Sequence, residues 1–228
     1  MTDEQGSAIT ESLISKRREQ FRIGSRASSF TICKQQLCAD FIRLLHQHDA
    51  RQGVWVFAYG ALLWRNLKLS VESHVAKVYG LHRRFCLWQH AYRGTIENPC
   101  LMLALDHGGS CEGVVYRVQS DQIDRCLWPV FQAEMDGGGY RARWVKATTT
   151  IGSITALSFV IDRRSGRYAG HLFERDVVER LALGCGEDGA CSDYLRKTVI
   201  AARKAKLRDV YLFRLDKLVA EKLNSLQA

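Results

Sequence analysis

One carboxylate of this 228-residue chain lies between an apolar segment and a run of glycines. Glu134 follows the apolar residues 127–133, and the glycine triplet 137–139 comes shortly after it. A carboxylate in such a place can be partly desolvated, which raises its pKa and suits it to act as a general base at neutral pH. A solvated helix end explains the same pattern, and Asp136 is a rival carboxylate with the same two interpretations.

A second candidate element is the loop that interrupts the apolar run 54–64. The run begins like a buried strand and reaches Tyr59 and Gly60 after five residues. Glycine permits a sharp turn and a close approach of the backbone, so free N–H groups at the end of this strand can hold an anion or a carboxylate. A buried strand followed by an ordinary turn explains the same residues.

Two basic features are candidates for binding charged partners. Arg93 stands beside Gly94 and could bind a substrate carboxylate, or it could be an exposed arginine of a surface loop. Residues 196–208 carry six lysines and arginines and no acidic residue. Because aromatic residues are not interleaved with these cations, we favour a solvated helix face over a nucleic-acid site.

Familiar catalytic and metal-binding motifs are scarce in this sequence. It contains no Walker loop, no Gly-x-Ser-x-Gly elbow and no His-Glu-x-x-His pattern. None of its eight cysteines forms a Cys-x-x-Cys pair, so the usual zinc spacing is missing. We expect no metal and no cofactor. We also expect reduced, mostly buried cysteines, with Cys185 and Cys191 the most exposed because they lie in a glycine-rich loop.

The bulk composition is typical of a globular protein. The chain is 46% hydrophobic and 25% charged, and no segment approaches the apolar length of a membrane span. The net charge of +9 makes nucleic acid or an acidic surface a partner to consider. The first twenty residues lack the apolar core of a secretory signal, so a cytoplasmic location is expected.

Strand patterns dominate the middle of the chain, and helix patterns dominate its end. Strands are expected at 54–59, 75–88, 100–106, 111–118, 141–150 and 153–162, with hairpin turns at Gly108-Gly109 and Gly152-Ser153. Sequential strands joined by short turns favour an antiparallel or mixed closed sheet with helices packed outside.

Helices are expected on both sides of this strand region. The expected helices cover 34–49, a segment that starts after Ser120 as its cap, and then 174–183, 192–206 and 209–226, the last capped by Asp209. Pro129 should either break the helix that follows Ser120 or begin a second short helix that reaches Glu134. We therefore predict an N-terminal extension over residues 1–50, with one helix after a mobile arm or loosely docked helix, and a catalytic domain over residues 51–228.

In their order and spacing, several short motifs resemble the ChaC-type γ-glutamylcyclotransferases. The motifs are the strand-Tyr-Gly-small-Leu element at 54–62, Arg83-Arg84-Phe85-Cys86-Leu87-Trp88, Arg93-Gly94-Thr95, residues 109–117, Glu134-Met135 before the glycines and Tyr140, Asp193-Tyr194-Leu195 and Asp209-x-x-Leu212. No single motif is specific, but together they cover roughly residues 54–220.

The resemblance implies a fold, a reaction and a site. The fold is a small closed β-barrel, mixed or antiparallel and flanked by helices, in the α+β class. The reaction is the cleavage of glutathione, a small-molecule substrate, to 5-oxoproline and cysteinylglycine without a cofactor. Glu134 would be the general acid and base, and the expected substrate-binding residues are Val56, Phe57, Ala58, Tyr59, Gly60, Ala61, Leu62, Arg93 and Tyr140.

Two residues depart from the family's usual motifs and keep alternatives open. Ala61 stands where a serine is usual, so the loop retains its backbone donors and lacks a hydroxyl. Ala133 stands where an arginine commonly precedes the acidic residue. The alternatives are an enzyme for another γ-glutamyl compound and a weak or inactive binding or regulatory module of the same fold, consistent with an older description of this family as cation-transport regulators.

Overall fold

The computed structural model describes residues 6–19, 33–65 and 72–226. Its helices are α1 (Glu11–Glu19), α2 (Lys34–His46), α3 (Trp128–Met135), α4 (Glu174–Leu183), α5 (Cys191–Lys204) and α6 (Val210–Ser225). Its strands are β1 (Val54–Ala58), β2 (Ser73–Gln89), β3 (Cys100–Val118), β4 (Tyr140–Thr149), β5 (Gly152–Ile161), β6 (Cys185–Gly186) and β7 (Gly189–Ala190). None of the helices in these ranges is long and apolar enough to cross a membrane.

Strands β1 to β5 form a closed barrel in the order β1-β3-β2-β4-β5, and β3 also pairs with β5. β1 runs antiparallel to β3, with Val54 opposite Val118, and parallel to β5, with Val56 opposite Leu157. β4 and β5 form an antiparallel hairpin. The prediction of an α+β fold built on a closed, mixed barrel is confirmed.

The chain divides into two compact units that do not follow sequence order. The first unit comprises Met1–Ser28, Phe85–Leu103 and Ala169–Ala228, and the second comprises Ser29–Arg84 and Ala104–Tyr168. The long strands β2 and β3 each contribute residues to both units.

The second unit is organised around one hydrophobic core. Side chains of α2, β1, α3 and β5 contribute to it, and its buried members are Leu37, Phe41, Leu44, Val54, Val56, Ala58, Leu62, Val118, Ile123, Leu127, Phe131, Leu157 and Phe159. The Phe41 ring lies 5.2 Å from Trp128 and 5.0 Å from Phe131, which joins α2 to α3. Full burial of a side chain such as Phe41 contributes about 1.5–3 kcal/mol to stability.

The first unit contains a docked N-terminal segment. Ile9 and Ile14 are buried, and the buried carboxylate of Asp216 on α6 accepts hydrogen bonds from the Ser7 hydroxyl and from the Ala8 N–H, the latter at 2.7 Å. Of the two alternatives for this segment, a mobile arm or a docked helix, residues 6–19 show the docked helix, α1. Residues 20–32 lie outside the described ranges.

Most predicted elements are confirmed within a few residues, including the Asp209 cap, whose carboxylate accepts from the Leu212 N–H at 2.7 Å. The expected hairpin at Gly108-Gly109 is wrong, because β3 continues through both glycines. Their φ angles of 101° and 63° bend the strand without reversing it, as in a β-bulge. The segment after Ser120 forms a 3₁₀ turn and a π-helical turn before α3, and Ser120 does not cap it.

The expectation about cysteines is partly wrong. Cys100 and Cys191 form a disulfide within the first unit, with their Cα atoms 5.9 Å apart. The pairing could not be read from the sequence because the two positions are 91 apart in residue number. Cys185 and Cys191, expected to be the most exposed cysteines, are buried, whereas Cys33 and Cys38 are exposed. Both are buried because the glycine-rich loop folds into the small β6–β7 hairpin, with Cys185 in β6 and Cys191 at the start of α5.

Loss of the Cys100–Cys191 bond is expected to lower the free energy of unfolding by about 2–4 kcal/mol, because the bond restricts the unfolded chain. Denaturant unfolding of the unreduced protein and of protein kept in reductant measures this difference. In the Cys100→Ala/Cys191→Ala control, the unfolding midpoint should not respond to reductant. Free thiols at both positions in a peptide map of the unreduced protein would contradict the pairing.

Candidate active site

The turn that follows β1 is held in place by Tyr59. Its hydroxyl donates to the Phe159 carbonyl at 2.6 Å, and its own carbonyl accepts from Arg83 Nε at 2.6 Å. Arg83 also donates through Nη2 to the Glu112 carbonyl at 2.7 Å. Both Tyr59 and Arg83 are buried, so these bonds form in a region where an unpaired polar group would be unfavourable. Tyr59 therefore fixes the backbone of the loop.

Residues 61–63 continue this loop as a short 3₁₀ turn. The Leu63 N–H donates to the Gly60 carbonyl at 2.9 Å. The N–H groups of Gly60, Ala61 and Leu62 come before this bond, and such leading donors lack an intrahelical acceptor by geometry. These N–H groups are the donors that the sequence analysis proposes for an anion or a carboxylate. Its contact with a substrate stays a prediction.

The strand before the loop supplies buried side chains. Val56 and Ala58 belong to the hydrophobic core of the second unit, and Phe57 is fully buried. The Phe57 carbonyl accepts a hydrogen bond from the Ser158 hydroxyl at 3.2 Å. These three residues hold the start of the loop, and their predicted role in substrate binding stays a prediction.

Glu134 lies in the last turn of α3. Pro129 occupies the first turn of this helix, and Phe131 is buried in its middle. Glu134 as a whole is half-buried. Burial raises the pKa of Glu134 from 4.5 to about 7, and the positive charge of Arg65 opposes part of that rise. The rival carboxylate Asp136 is exposed. Of the two interpretations of this region, the raised pKa supports the desolvated carboxylate.

One hydrophobic core supports both the loop and the helix that carries Glu134. Leu62 of the loop and Phe131 of α3 are members of this core, and Tyr140 packs against it from the start of β4. Arg65, two residues beyond the 3₁₀ turn, acts electrostatically on the Glu134 carboxyl. Within the second unit, Arg65 at the end of the loop therefore lies close enough to the Glu134 carboxyl group for its charge to act on that group.

Arg93 belongs to the first unit and is mostly buried there. Its Nη1 donates to the Ala190 carbonyl at 2.7 Å and to the Asp193 carboxylate at 3.2 Å. Burial alone would raise the pKa of Asp193, but Lys197 and Arg93 lower it below its usual value. Arg93 is thus not the exposed surface arginine that one interpretation expected, and its role as a substrate ligand stays a prediction.

The sequence alone assigned no role to Arg65, and it did not show that Arg83, rather than Arg84, supports the loop. Arg83 stands within the Arg-Arg-Phe motif, and this motif gave the signal without showing which arginine is buried. Arg65 carried no local signal, because its electrostatic effect on Glu134 depends on how parts of the chain that are distant in sequence fold.

The basic run 196–208 has partners within the first unit. Arg196 forms an ion pair with Glu11 at 3.2 Å, and Lys197 forms one with Asp193 at 2.8 Å. Arg196 is mostly buried, whereas Arg203 and Lys204 at the end of α5 are exposed, so the solvated-face interpretation fits the end of the helix only. Among the described residues, no cluster of His, Cys, Asp and Glu has the form of a metal site.

The family model for "ChaC-like protein" matches residues 54–222. A glutathione-specific gamma-glutamylcyclotransferase of Escherichia coli (strain K12) is 33% identical over 143 residues, which cover 62% of this chain and 62% of that protein. Glutathione-specific gamma-glutamylcyclotransferase 1 of Homo sapiens is 30% identical over 149 residues, which cover 63% of this chain and 67% of that protein. The chain thus matches less than two thirds of the length of the E. coli relative.

A crystal structure of a yeast γ-glutamyl cyclotransferase specific to glutathione has the same fold. Its TM-score is 0.66 at 17% identity, and the match covers 76% of this chain and 96% of the yeast chain. At that identity the likeness concerns the fold alone. Since the family model extends over well more than half of the 228 residues, the chain belongs to the ChaC-like protein family.

Proposed function

We propose that this chain is a γ-glutamylcyclotransferase that cleaves glutathione to 5-oxoproline and cysteinylglycine. The observation that carries the proposal is the carboxyl group of Glu134, whose pKa is raised to about 7 by burial. Membership of the ChaC-like family and the printed names of the E. coli and human relatives support glutathione as the substrate.

In the proposed reaction, ionised Glu134 accepts a proton from the α-amine of the γ-glutamyl group. The amine nitrogen attacks the γ-carbonyl carbon and closes a five-membered ring. The bond from that carbon to the amide nitrogen then breaks, and Glu134 returns the proton to the leaving nitrogen. Atoms balance without water, an oxidant or a cofactor, since one molecule of glutathione gives one molecule of each product.

Orientation of the substrate is the main task of the other residues. Because the attack is intramolecular, holding the amine against the γ-carbonyl can lower the barrier by up to about 7–11 kcal/mol. We propose that the N–H groups of Gly60, Ala61 and Leu62 bind the α-carboxylate or the developing oxyanion. Tyr140 and Arg93 are proposed as further substrate contacts.

The cytoplasm is the proposed location, because the cytosol maintains a glutathione pool. A small molecule is the proposed partner, with neither a membrane nor a nucleic acid required by this chemistry. The region 51–228 is the proposed catalytic domain, and residues 1–50 are its proposed extension. The family-model match, which begins at residue 54, supports that boundary.

Replacing Glu134 by glutamine is expected to lower kcat for 5-oxoproline release by about 10²–10⁴-fold, because the amide keeps the shape and cannot accept the proton. KM should change little, since the backbone donors remain. The measurement is 5-oxoproline production from glutathione and from a small panel of γ-glutamyl amines and dipeptides. Asp136→Asn, at the exposed rival carboxylate, is the matched control and should behave like the parent.

Each outcome of this assay is informative. Unchanged turnover in Glu134→Gln would contradict the assigned base. Turnover of a different γ-glutamyl compound in preference to glutathione would retain the reaction and correct the substrate. Binding of glutathione without any 5-oxoproline from the parent protein would favour the non-catalytic module.

The dependence of kcat/KM on pH is expected to show an acid limb with a midpoint of about 7, because Glu134 must be ionised to accept the proton. Activity should therefore fall as the pH drops through that value. Arg65→Gln removes a charge that favours the ionised form, so the midpoint should move upward. Arg43→Gln, at a largely exposed arginine of α2, serves as the control. A downward shift in Arg65→Gln would contradict the electrostatic assignment.

A further inference from the structure

The three glycines after Glu134 form a turn whose carbonyl groups are all bound by one distant segment. Arg167 Nη1 donates to the Gly137 carbonyl at 3.1 Å and to the Gly138 carbonyl at 2.7 Å. The backbone N–H of Asp162 donates to the Gly139 carbonyl at 2.8 Å. We call residues 162–168 the supporting turn. All of these groups belong to the second unit.

The glycine turn requires such support because of its backbone conformation. Gly137, Gly138 and Gly139 have φ angles of 74°, 69° and 102°, in the left-handed region that glycine enters freely. A run of three glycines also has many alternative conformations, so hydrogen bonds from outside must select this one. The end of α3 is continuous with the turn, since the Gly138 N–H donates to the Met135 carbonyl at 3.2 Å.

The supporting turn is itself attached to the barrel through Asp106 on β3. The fully buried Asp106 carboxylate accepts from Arg163 Nε at 2.7 Å and from the Tyr168 hydroxyl at 3.0 Å, and it forms an ion pair with Arg84 at 3.4 Å. Burial alone would raise the pKa of Asp106, but hydrogen bonds, led by that from Arg163, lower it below its usual value. The carboxylate therefore stays ionised and keeps both ends of the supporting turn in place.

We propose that Arg167 is a positioning residue for the cyclisation. By holding the glycine turn, Arg167 fixes the end of α3 and so keeps the Glu134 carboxyl group in position to accept the proton. The proposal rests on the proposed function of Glu134. It assigns Asp106 as the attachment point of the supporting turn, and it assigns neither residue a contact with substrate.

Arg167 acts in this account through backbone geometry rather than through its charge. The cation whose field lowers the pKa of Glu134 is Arg65, among the residues that the structure describes. The guanidinium of Arg167 is directed at two peptide carbonyls instead. Nη1 carries two N–H groups and donates to both carbonyls, and the planar guanidinium fixes their directions, whereas a lysine ammonium is held on a more flexible stem.

The test compares Arg167→Met and Arg167→Lys with the parent in the 5-oxoproline assay. Misplacement of a reacting group by about 1 Å can lower a rate by about 10²-fold, so kcat should fall by about 10–100-fold in Arg167→Met. KM should stay within about two-fold, and Arg167→Lys should recover part of kcat. Arg164→Met, at an arginine of the same turn whose side chain is 79% exposed, is the matched control and should retain parental kcat.

Two further readouts separate positioning from general destabilisation. If Arg167 acts through Glu134, adding Arg167→Met to Glu134→Gln should lower kcat no further, whereas an independent effect would multiply. In Arg167→Met the acid limb of kcat/KM should move to lower pH. A Glu134 carboxyl that is no longer held in place is better hydrated, and hydration lowers its pKa. Loss of a charge that acted directly on Glu134 would move the acid limb to higher pH. Should Arg167→Met fail to fold, the same comparisons are made with Arg167→Lys.

The outcomes distinguish the two proposals. No 5-oxoproline from the parent, or full activity in Glu134→Gln, would overturn the proposed function together with the positioning role. If those two proteins behave as expected, parental kcat in folded Arg167→Met, multiplicative losses in the double variant, or an upward shift of the acid limb would each overturn the positioning role alone.

Discussion

The burial of one carboxyl group at the end of α3 is the constraint on which the proposed site depends. Taking an ionised carboxylate out of water is unfavourable unless charges or donors compensate. At Glu134 burial outweighs the opposing charge of Arg65, so the pKa rises from 4.5 to about 7. A carboxyl group with this pKa can both accept and return a proton near neutral pH, as the proposed cyclisation requires of a single residue.

Keeping such a group in place demands rigid surroundings, and the second unit supplies them in two ways. Its hydrophobic core supports both α3 and the loop after β1, so neither can shift without loss of packing. Hydrogen bonds then fix the two ends of the site. Buried Arg83 and the Phe159 carbonyl hold Tyr59 in the loop, and Arg167 holds the glycine turn beyond Glu134. The orientation on which the proposed reaction relies thus follows from the scaffold.

Local patterns in the sequence predicted much of this fold, whereas long-range contacts escaped them. The apolar spacing of α2 and the cap at Asp209 depend on neighbouring residues, and both predictions are confirmed. The glycine pair 108–109 led to the wrong prediction of a hairpin, because glycines occur both where a strand bends and where the chain reverses. Only the pairing of the strands decides between these two structures. The sequence could propose Glu134 as a base. Its apolar flank allowed both a desolvated carboxylate and a solvated helix end, and tertiary packing decides between them, as it decides the effect of Arg65.

The most direct measurement of the central claim is the titration of Glu134 itself in the substrate-free protein. Carbon-13 NMR of protein labelled at the glutamate side-chain carboxyl carbons would follow each group with pH, and the Glu134 signal is assigned as the one missing from Glu134→Gln. The account predicts a midpoint of about 7 for this signal. A midpoint near the ordinary value of 4.5 would show that the carboxyl group is solvated and would contradict its role as a base at neutral pH.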